Sequence, residues 1–154
     1  MSELRDRLAK AGIELPQPRP PAGLYTPVIV DGTLAFTSGL VAVNETGIAY
    51  VGQLGNDLTV EEGQLSARGA CLLTLGTLDQ FVGLDRIERV LKLTGYVRAT
   101  PDFGDLPPVL DGASQLLIDV LGEAGRSART TVGVAALPKG ASVELDLVVR
   151  LVSE

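Results

Sequence analysis

Arg129 and Glu144 are the residues of this 154-residue chain best suited to polar chemistry. A guanidinium presents a planar fork that matches a carboxylate, and a glutamate can accept or return a proton. The chain contains no His, which removes His-based nucleophilic pairs and every His-containing metal motif. Its one cysteine, Cys71, falls in an apolar helical run. It reads as a buried, inert thiol, and no disulfide or thiolate cluster can form within the chain.

The elements that must position Arg129 and Glu144 are two β-like runs. Arg129 opens the first, Arg129 to Ala136, ahead of the β-branched Thr130, Thr131 and Val132. The second, Val143 to Val152, alternates Val143, Leu145, Leu147, Val149 and Leu151 against Glu144, Asp146, Val148, Arg150 and Val152. Leu137 to Ser142 supplies Pro138 and Gly140 for a reversal, so an antiparallel hairpin is the simplest expectation. In a symmetric hairpin Glu144 lies opposite Ala136, and Arg129 is then roughly 23 Å away at about 3.3 Å per residue. Either the two charges serve one site by coming from different subunits, or they are a solvated edge arginine and an unrelated surface glutamate.

Upstream, Ser2 to Gly12 predicts a short helix capped by Ser2, with Leu4, Leu8 and Ala11 on one face. Pro16, Pro18, Pro20 and Pro21 make the next stretch an extended arm that packs on the body. Residues 1–22 are thus helix plus arm, and 23–154 a single domain. Tyr25 to Val30 and Thr33 to Thr37 predict strands around Asp31-Gly32, read as a type I′ turn. Ser38-Gly39 ends the second strand or lets a ligand approach the backbone. Ile48 to Val51 is a weak third strand.

Thr59 and Glu62 form a capping box for the longest helix, which Gly83 ends. Arg86 to Arg98 predicts a long strand, Thr100 to Pro108 a turn, and Val109 to Gly122 a second amphipathic helix. The resulting β-β-(β)-α-β-α-β-β order predicts an α+β fold, two helices packed on one face of a mixed sheet. The opposite face, carrying Val132, Val134 and Val148, then needs a cover, and self-association supplies it most economically.

Composition narrows the function. Hydrophobic residues make up 45% of the chain, enough for a core in a protein of this length. A net charge of −6 and an aromatic share of 4% disfavour a broad nucleic-acid footprint. No stretch reaches membrane-span length and Met1 is not followed by a leader, so a cytoplasmic protein is expected.

Several spacings coincide with one family. Gly23-Leu24-Tyr25, Asp31-Gly32, Leu34 to Phe36 and Ser38-Gly39 resemble the opening of the Rid family, YjgF-type imine deaminases also called endoribonuclease L-PSP proteins. Ala128-Arg129, Val132, Leu137-Pro138-Lys139 and Val143-Glu144-Leu145 resemble its C-terminal signature. The resemblance covers about Gly23 to Val152 and leaves the arm outside. It implies a chorismate-mutase-like fold, a homotrimer with clefts between subunits, and hydrolysis of 2-imino or enamino acids to 2-keto acids and ammonia. No cofactor is implied. Arg129 would hold the ligand carboxylate and Glu144 would orient water or the imine nitrogen. Tyr25, Ser38 and Gly39 would line the pocket. Thr131 stands where well-known deaminases have Cys, Leu40 where Gln is common, and Asp111 or Ser114 in the space of a family helix asparagine. Two other readings are a non-catalytic trimeric binder of small carboxylates, or regulatory module, and an RNA-cleaving, translation-inhibiting protein.

Overall fold

The computed structural model describes residues 3–153. Helix α1 (Glu3–Lys10) buries Leu8 and stops at Gly12, whose φ of +66° suits the left-handed turn that ends it. The Ser2 cap lies outside the described residues. The arm then packs on the body as expected, with Ile13 and Leu15 against the core.

Strands β1 (Val28–Asp31) and β2 (Leu34–Thr37) form the predicted hairpin. Its loop residues are Gly32 and Thr33, and only Gly32 has positive φ. That is the type II′ pattern rather than the I′ expected from Asp31-Gly32. Short strand β3 (Leu40–Val41) joins the main sheet, while β4 (Val43–Asn44) and β5 (Gly47–Ile48) make a separate small hairpin. The third strand predicted at Ile48 to Val51 is therefore displaced towards the N-terminus.

Helix α2 (Val60–Val82) has the capping box in full: Glu62 N–H donates to Thr59 Oγ1 at 3.2 Å, and Thr59 N–H donates to Glu62 Oε2 at 2.8 Å. Strand β6 (Ile87–Arg98) follows. Helix α3 (Leu106–Leu121) begins earlier than expected, because Pro107 and Pro108 sit in its first turn, where a missing N–H costs nothing.

Strands β7 (Ala128–Val134) and β8 (Val143–Leu151) correct the hairpin expectation. They do not pair. The sheet order is β1-β2-β8-β6-β7, with β6 between them, parallel to β7 and antiparallel to β8. The connection over residues 135–142 is long enough to step across the end of β6, and the 12-residue β6 takes a neighbour on each side.

Helices α2 and α3 cover one face of the sheet, as predicted. Leu93, Val97, Leu145 and Leu147 lie fully buried beneath them. Close approach is built into the sequence: a Cβ on Gly95 would meet Leu110 of α3 at 2.5 Å, and one on Gly112 would strike the Gln64 carbonyl. The other face is bare within one chain. Cross-strand register puts Val132 beside Tyr96, Val134 beside Arg98, and Phe36 beside Val148 on that face, with Ile29 paired to Phe36. Ile29, Phe36 and Val132 are exposed large apolar side chains.

Candidate functional site

Register decides how Arg129 and Glu144 relate. Arg129 pairs with Leu93 of β6 and Glu144 with Tyr96 of the same strand. The offset is three residues along and two strand spacings across, roughly 14 Å between Cα atoms rather than the 23 Å of a hairpin. An odd offset also means opposite faces. Arg129 lies with buried Leu93 on the helix side, and Glu144 with Tyr96 on the bare side. One chain cannot bring the two groups together, but the sheet itself separates them, not distance along a ladder.

The arginine half is built by β7 and α3. Arg129 Nη1 donates to Asp111 Oδ1 at 2.7 Å and to Ser114 Oγ at 3.1 Å, and Nη2 donates to the Pro107 carbonyl at 3.2 Å. Arg129 Nε–H has no partner among the described residues, so one side of the fork stays open. Thr131 shares this face, half-buried opposite Gly95.

The glutamate half is built by β8, β6 and the end of β2. Gly39 is the notch that admits Glu144: a Cβ there would overlap the Glu144 carboxylate. The small residue thus makes room for this chain's own side chain. Ser38 Oγ donates to the Thr26 carbonyl at 2.7 Å, fixing the segment that carries Tyr25, which is 50% exposed. Tyr25 Oη accepts from Ala22 N–H at 3.2 Å. Two residues on from Glu144, Asp146 accepts from Tyr96 Oη at 3.1 Å. Burial, and then the Asp146 charge, hold the Glu144 carboxyl above its usual range. Burial raises Asp146 as well, with the Tyr96 bond acting against it. Among the described residues no cation pairs with either carboxylate, so no opposite charge offsets their desolvation.

Of the residues singled out in the sequence, the structure sets Gly39 against Glu144, ties neighbouring Ser38 to the segment that carries Tyr25, and puts Arg129 and Thr131 on the helix side. Asp111 and Ser114 both reach Arg129. A match to the family model described as "YjgF/chorismate_mutase-like, putative endoribonuclease" covers residues 5–151. The chain belongs to the YjgF family. This match starts at residue 5, so it takes in most of α1 and all of the arm as well as the body.

YjgF relatives agree along nearly the whole length. The Trypanosoma cruzi "Protein TCP17" is 42% identical over 146 residues, 94% of this chain and 91% of that protein. Atu1372 of Agrobacterium tumefaciens, of unknown function, is 36% identical, with a TM-score of 0.89 over 97% of this chain and 92% of that one. A "putative endoribonuclease" of Shewanella oneidensis MR-1 is 34% identical, with a TM-score of 0.93 over 97% and 100%. The α+β fold is therefore the YjgF/chorismate-mutase-like one.

Two site features escaped sequence reasoning. The Tyr96–Asp146 pair joins residues 50 positions apart, and only the β6–β8 register brings them together. Arg129's pairing with Asp111 joins residues 18 positions apart and needed the packing of α3 beside β7. Cys71 behaves as read: burial pushes its thiol up to about 12, which leaves it un-ionised near neutral pH. Among the described residues no helix is long and apolar enough to cross a membrane.

Proposed function

We propose that this YjgF protein hydrolyses 2-imino or enamino acids to 2-keto acids and ammonia, at a cleft between copies of a homotrimer. The observation that carries this reading is the placement of Arg129 and Glu144 on opposite faces of one sheet. A site that uses the two groups must draw them from different copies. The bare face has the apolar side chains for such an assembly in Ile29, Phe36 and Val132.

The chemistry asks little of the protein, because an imine carbon is already electrophilic. Arg129 holds the ligand carboxylate through its open Nε side, and the three bonds on its other nitrogens keep the plane fixed. Glu144 of the neighbouring copy orients a water and shuttles its proton to the departing nitrogen. A carboxyl held above its usual range is better matched to that exchange near neutral pH than an ordinary glutamate. Tyr25, Ser38 and Gly39 border the glutamate half, and Thr131 the arginine half.

A second reading is a trimeric binder of small carboxylates that does not turn them over. Thr131, in place of the cysteine of well-known deaminases, favours it. RNA cleavage fits less well: the chain carries −6 net charge, and the bare face presents two carboxylates to any phosphate backbone. The separating experiment generates an imino acid with an amino-acid oxidase in the presence of semicarbazide. Slower semicarbazone formation with the protein present, lost in Arg129→Ala, supports hydrolysis. Unchanged trapping alongside measurable 2-ketobutyrate binding supports the binder.

A further inference from the structure

Asp111 changes what the arginine half can recognise. It removes the free positive charge on which a lone anion would depend: its Oδ1 lies 2.7 Å from Arg129 Nη1, and the pair is already neutral. The partners are unequally placed, Arg129 being 24% exposed and Asp111 62% exposed. Asp111 Oδ2 has no partner among the described residues, and neither has Arg129 Nε–H. The two residues line one groove of about 330 Å³, together with Ser114, Ser127 and Arg126, whose own charge is paired with Glu123 at 3.3 Å. That space suits a molecule the size of an amino acid. It offers one open donor side for a carboxylate and one open acceptor for a cationic group, both carried on the same ion pair.

A keto acid brings one negative charge to this pair and meets Asp111 as a repulsion. A ligand with a carboxylate and an adjacent ammonium or iminium adds no net charge and satisfies both open groups. We propose that Asp111 makes the Arg129 groove a reader of zwitterions, selecting α-amino or α-iminio carboxylates over the matching keto acids. The inference rests on the reading that Arg129 anchors a carboxylate, and it specifies the ionic form of the substrate. Hydrolysis consumes that form: the iminium acid plus water gives the keto acid plus ammonium, R–C(=NH2⁺)–COO⁻ + H2O → R–CO–COO⁻ + NH4⁺. The cationic nitrogen leaves with the reaction, so the product is the weaker ligand and departs.

The test is calorimetric titration of the full chain at neutral pH with L-2-aminobutyrate and with 2-ketobutyrate, repeated on Asp111→Asn, Asp111→Ala and Arg129→Ala. The native protein is expected to favour the amino acid by roughly tenfold, the scale of one hydrogen bond to a charged group. Asp111→Asn should weaken the amino acid, strengthen the keto acid and so abolish the preference, with Asp111→Ala moving in the same direction. If Arg129→Ala loses both ligands while the Asp111 variants shift them by the same factor, selection by Asp111 is overturned and the carboxylate anchor stands. If neither ligand depends on Arg129, the anchor and the inference fall together.

Discussion

The two halves of the candidate site are built on opposite electrostatic plans. On the helix side, Arg129 is held by three acceptors from α3, all within one chain. On the bare side, Asp146 accepts from one tyrosine hydroxyl, and neither it nor Glu144 pairs with a cation among the described residues. The first half is preorganised, with its charge balanced before any ligand arrives. The second carries the desolvation cost of two half-buried carboxylates.

The largest expected break comes from Arg129→Ala. Losing a hydrogen bond to a charged group costs about 1.5–3 kcal/mol, so carboxylate ligands should weaken by roughly tenfold or more. Arg129→Lys should not restore them, because an ammonium cannot hold Asp111, Ser114 and a ligand in one plane. Titration of 2-ketobutyrate against the three proteins checks this.

Gly39→Ala tests the other half. Its Cβ would displace the Glu144 carboxylate, at a stability cost of about 1–3 kcal/mol from overpacking. Turnover should fall far more than thermal stability, while Arg129-dependent binding persists. Loss of binding along with turnover would mean that the halves are not separable.

Glu144→Gln and Asp146→Asn sharpen the electrostatic contrast. Each carboxyl has a folded-state value above its ordinary 4.5 or 3.8. The folded protein therefore holds these protons more tightly than the unfolded chain. Stability from this source is present at acid pH and falls as pH rises from the ordinary carboxylate range through the raised folded values. Either neutral variant should melt higher than the native protein at neutral pH, with the gain shrinking as pH drops through the raised folded values and gone below about 4. Denaturant melts across that range read it directly. Asp146→Asn should also move the acid limb of any pH–activity profile downward, since the Asp146 charge helps hold Glu144 up.

The smallest effect belongs to Asp111→Asn on stability. The Asp111 partner is mostly exposed, and such pairs contribute no more than about 1 kcal/mol. A larger loss would make this pair a structural brace, not part of a recognition surface.

How far the sequence foretold these halves depended on how local each signal was. The Thr59–Glu62 capping box, the β1–β2 hairpin and the two amphipathic helices were legible because their determinants lie within a few residues. The alternation along Val143 to Leu151 correctly assigned faces within β8. Strand order was not legible: the same turn residues and strand runs are compatible with β7 and β8 pairing or with β6 lying between them. Choosing required long-range register. That one error gave a separation of Arg129 and Glu144 on the wrong ground, distance instead of opposite faces. Asp146–Tyr96 and Arg129–Asp111 were hidden for the same reason, although Asp111 and Ser114 had been placed near the site through the family resemblance.

Mixing two variants tests the central claim most directly. Arg129→Ala and Glu144→Gln, each inactive alone in the imino-acid trapping assay, should recover activity when co-assembled. Random assembly of equal amounts into a cyclic trimer makes roughly one interface in four intact, so about a quarter of native activity is expected. No recovery from a demonstrably mixed oligomer, or full activity in Glu144→Gln alone, would contradict a site shared between copies.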